Sequence, residues 1–291
     1  MNELTKRILV AIVGIPLSFL IIFYGGWFFA IFIIILTLMT ADEFSKILEK
    51  KDIFINKPIV YFSIISILGI FQYSLPSNLQ LFIVFSIILI LSLSVILPGL
   101  ELWKKNNNPT ASIASSFLTI SYICVAFLSL LIIRNFDILI DYFNLQLQNN
   151  SLPENWGAWL VISIFVTIWV CDSAAYFVGS AFGKRKLFPR HSPKKSWEGA
   201  IGGFIGSVLT FVSINYYVDL DFSHSFAILS GTVIGIAGQI GDLTESQFKR
   251  EMQVKDSSNL IPGHGGIFDR FDSIIFVSPL MLILLILNQI I

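Results

Sequence analysis

LQLFIVFSIILILSLSVIL, residues 79–97, carries no ionisable side chain. A helix needs about 20 mostly apolar residues to cross a bilayer, and this stretch has that length. The same ruler finds three candidates before it, at 8–24, 25–40 and 59–73. It finds five after it, at 113–133, 159–179, 199–217, 225–243 and 273–291. The reading is an all-α polytopic membrane protein of about nine transmembrane helices. The first two candidates meet at Gly25-Gly26 and form a tight hairpin. The second and third are short and draw on flanking residues to cross. Lys6 and Arg7 precede the first run as they would in a secretory signal, but the run passes through Gly25-Gly26 into a second apolar run. No small-x-small cleavage site is present, so a retained span is expected.

Composition agrees. Of 291 residues, 55% are apolar and 13% charged, with 19 basic and 19 acidic side chains and zero formal net charge. Mean hydropathy is +0.79. Thirty-eight charges are too few to cover a soluble body of this size. The balance excludes a cytosolic globular enzyme, a nucleic-acid binder with its basic excess and a disordered chain. Cys124 and Cys171 both lie inside apolar runs, which excludes a disulfide scaffold.

Orientation follows from lysine and arginine, which concentrate on the cytoplasmic side. With the N-terminus inside, eighteen of the nineteen basic residues fall on inside segments, and only Arg134 falls outside. One miscounted span would destroy that split. The count places the N-terminus in the cytoplasm and the C-terminus outside.

The chain divides near residue 155. Residues 1–155 read as a transmembrane scaffold of about five lipid-facing spans. The stretch 134–157, with Asn149, Asn150 and Pro153, reads as an outside linker. Residues 156–291 read as a catalytic transmembrane domain of about four spans plus cytoplasmic loops. Here glycines cluster at 199, 202, 203 and 206, and again at 231, 235, 238 and 241. Such spacing lets helix backbones approach closely. It predicts that the seventh and eighth spans pack on each other or on the sixth.

The polar residues of this half gather at one surface. Asp172 lies in the cytoplasmic half of the sixth span, where an intramembrane carboxylate is costly. It marks either a polar site open to the cytoplasm or a carboxylate paired with a loop lysine. The loop 180–198 holds six basic residues, and Ser192-Pro193-Lys194-Lys195-Ser196-Trp197-Glu198-Gly199 precedes a helix. Cations, hydroxyls and N-terminal helix amides together suit phosphate; anionic lipid headgroups would also suit the charge. Asp242, Glu245, Ser246 and Lys249 share one face if the eighth helix extends to them. Arg250, Lys255 and Asp256 follow, then Pro262-Gly263-His264-Gly265-Gly266, a loop where backbone can approach a ligand. Asp269 and Asp272 open the last helix with Arg270 between them. Clustered carboxylates suit Mg²⁺, and the cations suit the phosphates it shares.

Residues 246–272, SQFKREMQVKDSSNLIPGHGGIFDRFD, resemble the signature of the phosphatidate cytidylyltransferases, also called CDP-diacylglycerol synthases. That signature is Ser-x-apolar-Lys-Arg, four residues, Lys-Asp, then Pro or Gly, x, His-Gly-Gly, apolar, x, Asp-Arg-apolar-Asp. The runs CDSAAYFVG from Cys171 and SPKKSWEG from Ser192 are similar to upstream motifs of the same family. The resemblance implies transfer of CMP from CTP to phosphatidate, giving CDP-diacylglycerol and pyrophosphate. It implies a catalytic set of Asp242, Asp269, Lys249, Arg250 and His264. It implies substrate contacts from Asp172, Ser192, Lys194, Lys195, Ser196, Ser246, Lys255, Asp256, Gly265, Gly266 and Arg270. Metal ligands are then Asp242 and Asp269, with Asp272 a weaker third, in a paired-cation site for Mg²⁺ with room for K⁺. A homodimer in a plasma membrane, with the active site facing the cytoplasm, is implied as well.

Two other classes fit parts of the pattern. A transporter would use Asp172 as an ion or proton site, but it would bind near the midplane and show internal repeats; no convincing repeat is present. A lipid or polyprenol kinase would account for the bare charge cluster but not for the complete signature.

Overall fold

The apolar runs are helices, and several continue past the point where the sequence turns polar. The computed structural model describes residues 3–75, 78–104, 107–143, 155–258, 260 and 265–290. α1 spans Glu3–Tyr24, α2 Gly26–Leu48, α3 Lys57–Ser74 and α4 Leu79–Glu101. α5 (Pro109–Leu118), a π-helical turn (Thr119–Cys124) and α6 (Val125–Arg134) form one continuous rod. α7 (Phe136–Phe143) is short and lies within the stretch expected to be a linker. α8 (Trp156–Phe182), α9 (Trp197–Val218), α10 (His224–Glu251) and α11 (Phe268–Ile290) complete the α-helices among the described residues. Among the described residues, eight helices are long and apolar enough to cross a membrane, and α1 adds the shorter apolar stretch Ile12–Tyr24.

The chain is not purely α-helical. β1 (Lys186–Phe188) and β2 (Ser192–Ser196) pair antiparallel in the basic loop between α8 and α9, with Lys186 opposite Ser196 and Phe188 opposite Ser192. Strands this short carry too few residues for an alternating pattern to show in sequence.

The single basic residue assigned outside does not sit in water. Arg134 is 7% exposed. Its Nε donates to Ile22 O at 2.6 Å, and a terminal nitrogen donates to Phe23 O at 3.0 Å. These carbonyls belong to the last turn of α1, where they lack intrahelical partners and carry the negative end of the helix dipole. Gly25 makes room for this cap. Its φ is +63°, and a Cβ there would sit 2.5 Å from the guanidinium.

The two glycine sets join three interfaces rather than one. A Cβ at Gly199 would lie 2.7 Å from Ala175 O, and one at Gly203 would lie 2.9 Å from Cys171 O, so the first set seats α9 on α8. A Cβ at Gly231 would lie 2.7 Å from Val208 Cα, so the start of the second set seats α10 on α9. A Cβ at Gly241 would lie 2.5 Å from Asp272 O, so its end seats α10 on α11. Hydrogen bonds run along the same seams. Ser207 Oγ donates to Gly231 O at 2.9 Å, and Ser273 Oγ donates to Gly238 O at 3.1 Å. The close approach of α10 and α11 at Gly241 brings Asp242 beside Asp272.

Candidate active site

The polar ends of α8, α10 and α11 meet the β1–β2 ribbon around a cavity of about 610 Å³. That volume lies within the usual range for small-molecule sites. Asp172, Lys194, Lys195, Ser196, Asp242, Asp269, Arg270 and Asp272 line it, as does Gln239. One wall is apolar, formed by Phe165, Ile168 and Trp169. Phe165 and Trp169 also border a second, apolar cavity reaching between α1, α2 and α8.

α10 runs to Glu251, so Asp242, Glu245, Ser246 and Lys249 do lie on one helical face. Oxygens of Asp242, Glu245 and Asp272 lie within 4.8 Å of one another. Three carboxylates this close repel; at an effective dielectric of about 20, each pair costs about 3–4 kcal/mol if both are ionised. Two lysines offset part of this. Lys195 Nζ is 2.5 Å from Asp242 Oδ2, and Lys249 Nζ is 2.6 Å from Glu245 Oε2. The other Glu245 oxygen, Oε1, is buried with no hydrogen-bond partner among the described residues. A buried, unsatisfied carboxylate oxygen beside two more carboxylates fits a hard divalent cation, which takes oxygen ligands.

Asp269 is held differently. Its Oδ1 accepts from Lys249 Nζ at 2.7 Å. Its Oδ2 faces three donors: Ser257 N at 3.0 Å, Ser257 Oγ at 2.9 Å and Gly266 N at 2.8 Å. From the first turn of α11, Asp269 thus reaches back to the backbone that leads into the helix. Lys249 therefore bridges Asp269 to Glu245, and through Glu245 to the carboxylate triad.

The remaining expected site residues divide. Ser196 lines the cavity and also caps α9, its Oγ accepting from Gly199 N at 3.2 Å. Glu198 closes the basic loop from below by accepting from Lys184 N at 3.1 Å and Arg185 N at 3.3 Å. Ser246 Oγ is 3.5 Å from Asp242 Oδ1. Arg250 contacts His191 O and Val254 O, both at 3.4 Å, and lies outside the cavity lining. Ser192, Lys255 and Asp256 also lie outside that lining, the last two on the exposed surface. His264, with Pro262 and Gly263, lies outside the described residues.

Gly265 and Gly266 are not among the residues that line the cavity, and the groups nearest to them are carboxylates. Gly265 has φ +78°, and a Cβ there would lie 2.6 Å from Asp269 Oδ2. A Cβ at Gly266 would collide with Ser257 Oγ and Glu43 Oε2. The pair admits carboxylates to the backbone. Sequence reasoning passed over Glu43 and Gln239 entirely, and it did not advance Glu245 beyond its helix face. Glu245 had a legible signal in its i+3 spacing from Asp242; Glu43 had none.

The sequence profile of the Cytidylyltransferase family matches residues 5–287, nearly the whole chain. The chain belongs to this family. A Staphylococcus haemolyticus phosphatidate cytidylyltransferase is 31% identical over 283 residues, covering 96% of this chain and 98% of that protein. Its Staphylococcus aureus counterpart is 32% identical over the same length and shares. A Haemophilus influenzae phosphatidate cytidylyltransferase is 48% identical over 141 residues, which is 46% of this chain and 48% of that protein. Family membership makes the chain a nucleotidyltransferase and removes the transporter and kinase alternatives.

Proposed function

We propose that this site transfers CMP from CTP to phosphatidate, releasing pyrophosphate and leaving CDP-diacylglycerol in the membrane. The observation that carries the reading is the Asp242–Glu245–Asp272 carboxylate cluster, two of whose members, Asp242 and Asp272, line one cavity with Lys194, Lys195, Arg270 and an apolar wall. A divalent cation held by Asp242, Glu245 and Asp272 would neutralise phosphate charge on the nucleotide. Mg²⁺ is the ion assigned here, and a K⁺ beside it, near Asp269, would make the paired site.

The chemistry asks little of a general base. The attacking group is a phosphate monoester whose second pKa is about 6, by analogy with a phosphorylated side chain, so it is largely ionised at neutral pH. The obstacle is repulsion between two polyanions. Lys194, Lys195 and Arg270 offset that repulsion and hold the attacking oxygen in line with the α-phosphorus. Asp242 fixes the Lys195 ammonium at 2.5 Å, so the cation is set before substrate arrives. Lys249 keeps Asp269 and Glu245 in register at 2.7 and 2.6 Å. The Phe165–Trp169 wall gives diacyl tails an apolar path beside the headgroup site.

The reading places nine spans in a plasma membrane, the N-terminus and the site in the cytoplasm, the C-terminus outside, and two copies in a homodimer. Sidedness tests it. With CTP added outside sealed vesicles that contain phosphatidate and Mg²⁺, inside-out vesicles are expected to form CDP-diacylglycerol. Right-side-out vesicles are expected to form it only after permeabilisation, and a chelator should stop both. Equal rates in the two intact preparations would contradict the orientation.

A further inference from the structure

Glu43 lies on α2, more than two hundred residues from the signature segment, yet its carboxylate is built into that segment. It is 3% exposed. Oε1 accepts from Ser258 Oγ at 2.7 Å and Ile267 N at 3.0 Å. Oε2 accepts from Ser257 Oγ at 2.9 Å and Phe268 N at 2.8 Å. Four donor groups surround one carboxylate, with the single Ser257 hydroxyl proton shared between Glu43 and Asp269. Two of them are backbone N–H groups at the start of α11, which have no intrahelical acceptor and attract negative charge. The next residue, Phe44, fixes the same contact from its apolar side. Its ring stands edge-on to Phe248 of α10 and Phe268 of α11, each with centroids 5.6 Å apart.

The link to the site is short. Ser257 Oγ lies 2.9 Å from both Glu43 Oε2 and Asp269 Oδ2. Gly266 donates its N–H to Asp269, and its missing Cβ is what admits Glu43. Glu43 and Asp269 thus meet at Ser257 and at the backbone N–H groups of Gly266, Ile267 and Phe268 that lead into α11. Asp269, Arg270 and Asp272 project from that turn into the cavity, whereas Glu43 does not line it. The first half of the chain is therefore more than a lipid-facing scaffold.

We propose that Glu43 is a positioning residue for CMP transfer: by capping α11 and holding Ser257 and Ser258, it sets the angle at which Asp269 and Asp272 enter the site. This rests on the cytidylyl-transfer reading of the same site.

Glutamine at 43 keeps the shape but must turn an NH₂ group toward one pair of donors. In either flip it opposes a backbone N–H, from Ile267 or from Phe268. The test compares purified wild type, Glu43→Gln, Ser257→Ala and the double variant in CDP-diacylglycerol formation per folded protein, with Mg²⁺, CTP and phosphatidate each titrated. Glu43→Gln is expected to lower kcat at least tenfold, raise the Mg²⁺ concentration for half-maximal rate at least threefold, and leave KM for CTP within threefold. The double variant is expected to fall less than twofold below Glu43→Gln alone, because both changes break one link. A Glu43→Gln protein with kcat and Mg²⁺ dependence within twofold of wild type, even with a lower melting temperature, overturns the proposal. So do losses that multiply in the double variant. If Glu43→Gln does not fold, Ser258→Ala decides, since Ser258 touches Glu43 and neither Asp269 nor the cavity. A threefold or larger fall in kcat supports the proposal, and a smaller change overturns it. A wild type that forms no CDP-diacylglycerol at all would instead fail the reading of the reaction.

Discussion

Replacing Asp242 by asparagine is expected to lower kcat for CMP transfer by about a hundred- to a thousandfold, the scale seen when one preorganised electrostatic group is removed from a site. The protein should still fold. Asp242 is one of three carboxylates whose oxygens lie within 4.8 Å, and its side chain is 33% exposed. Neutralising it relieves two repulsive pairs at the cost of one ion pair to Lys195, itself 28% exposed. A pair about one-third exposed contributes about 1 kcal/mol or less, less than the repulsion that is relieved, so the melting temperature without metal should not fall below that of wild type. What disappears is a ligand oxygen and the anchor that aims Lys195. Steady-state kinetics at saturating CTP and phosphatidate, with thermal unfolding on the same sample, checks both halves. Turnover within tenfold of wild type would contradict the role given to the carboxylate cluster.

Replacing Lys249 by methionine should act mainly on stability. Its ammonium lies between Glu245 and Asp269, and the three side chains are 12%, 2% and 8% exposed. Removing one partner from a buried ion pair strands the others and costs about 3–5 kcal/mol. For a chain of this size that corresponds to a fall in melting temperature on the order of 10 °C. Activity should fall too, because Asp269 loses the donor on Oδ1 while Oδ2 keeps the N–H groups of Ser257 and Gly266. The contrast with Asp242→Asn is the point: one variant is inactive and stable, the other inactive and unstable. A Lys249→Met melting temperature within about 3 °C of wild type would show that the bridge carries little of the load.

What the sequence made legible was set by local pattern. Apolar runs give spans because hydrophobic length is a property of consecutive residues. The spacing of Asp242, Glu245, Ser246 and Lys249 gave a shared face once α10 was long enough, and α10 does reach Glu251. The glycine sets announced close packing, although which helix each would meet depended on the arrangement of the bundle. The failures share a cause. Asp42 and Glu43 follow an apolar run and carry no pattern of their own; the partners that bury Glu43 are more than two hundred residues away. Arg134 looked like a loop cation, but its acceptors lie 111 and 112 residues earlier, on α1. Gly265 and Gly266 mark a close approach, but glycine alone does not name the group that comes close. Here the approaching groups are the carboxylates of Asp269 and Glu43.

The central claim is that the cavity moves a nucleotidyl group, with bond cleavage between the α- and β-phosphates. The position of a label in CTP tests it most directly. Purified protein given phosphatidate, Mg²⁺ and CTP labelled at the α-phosphate should place that label in the lipid, in step with release of pyrophosphate. CTP labelled at the γ-phosphate should leave the lipid unlabelled and put all its label in pyrophosphate. Lipid labelled from the γ-phosphate, with CDP as the other product, would contradict the account.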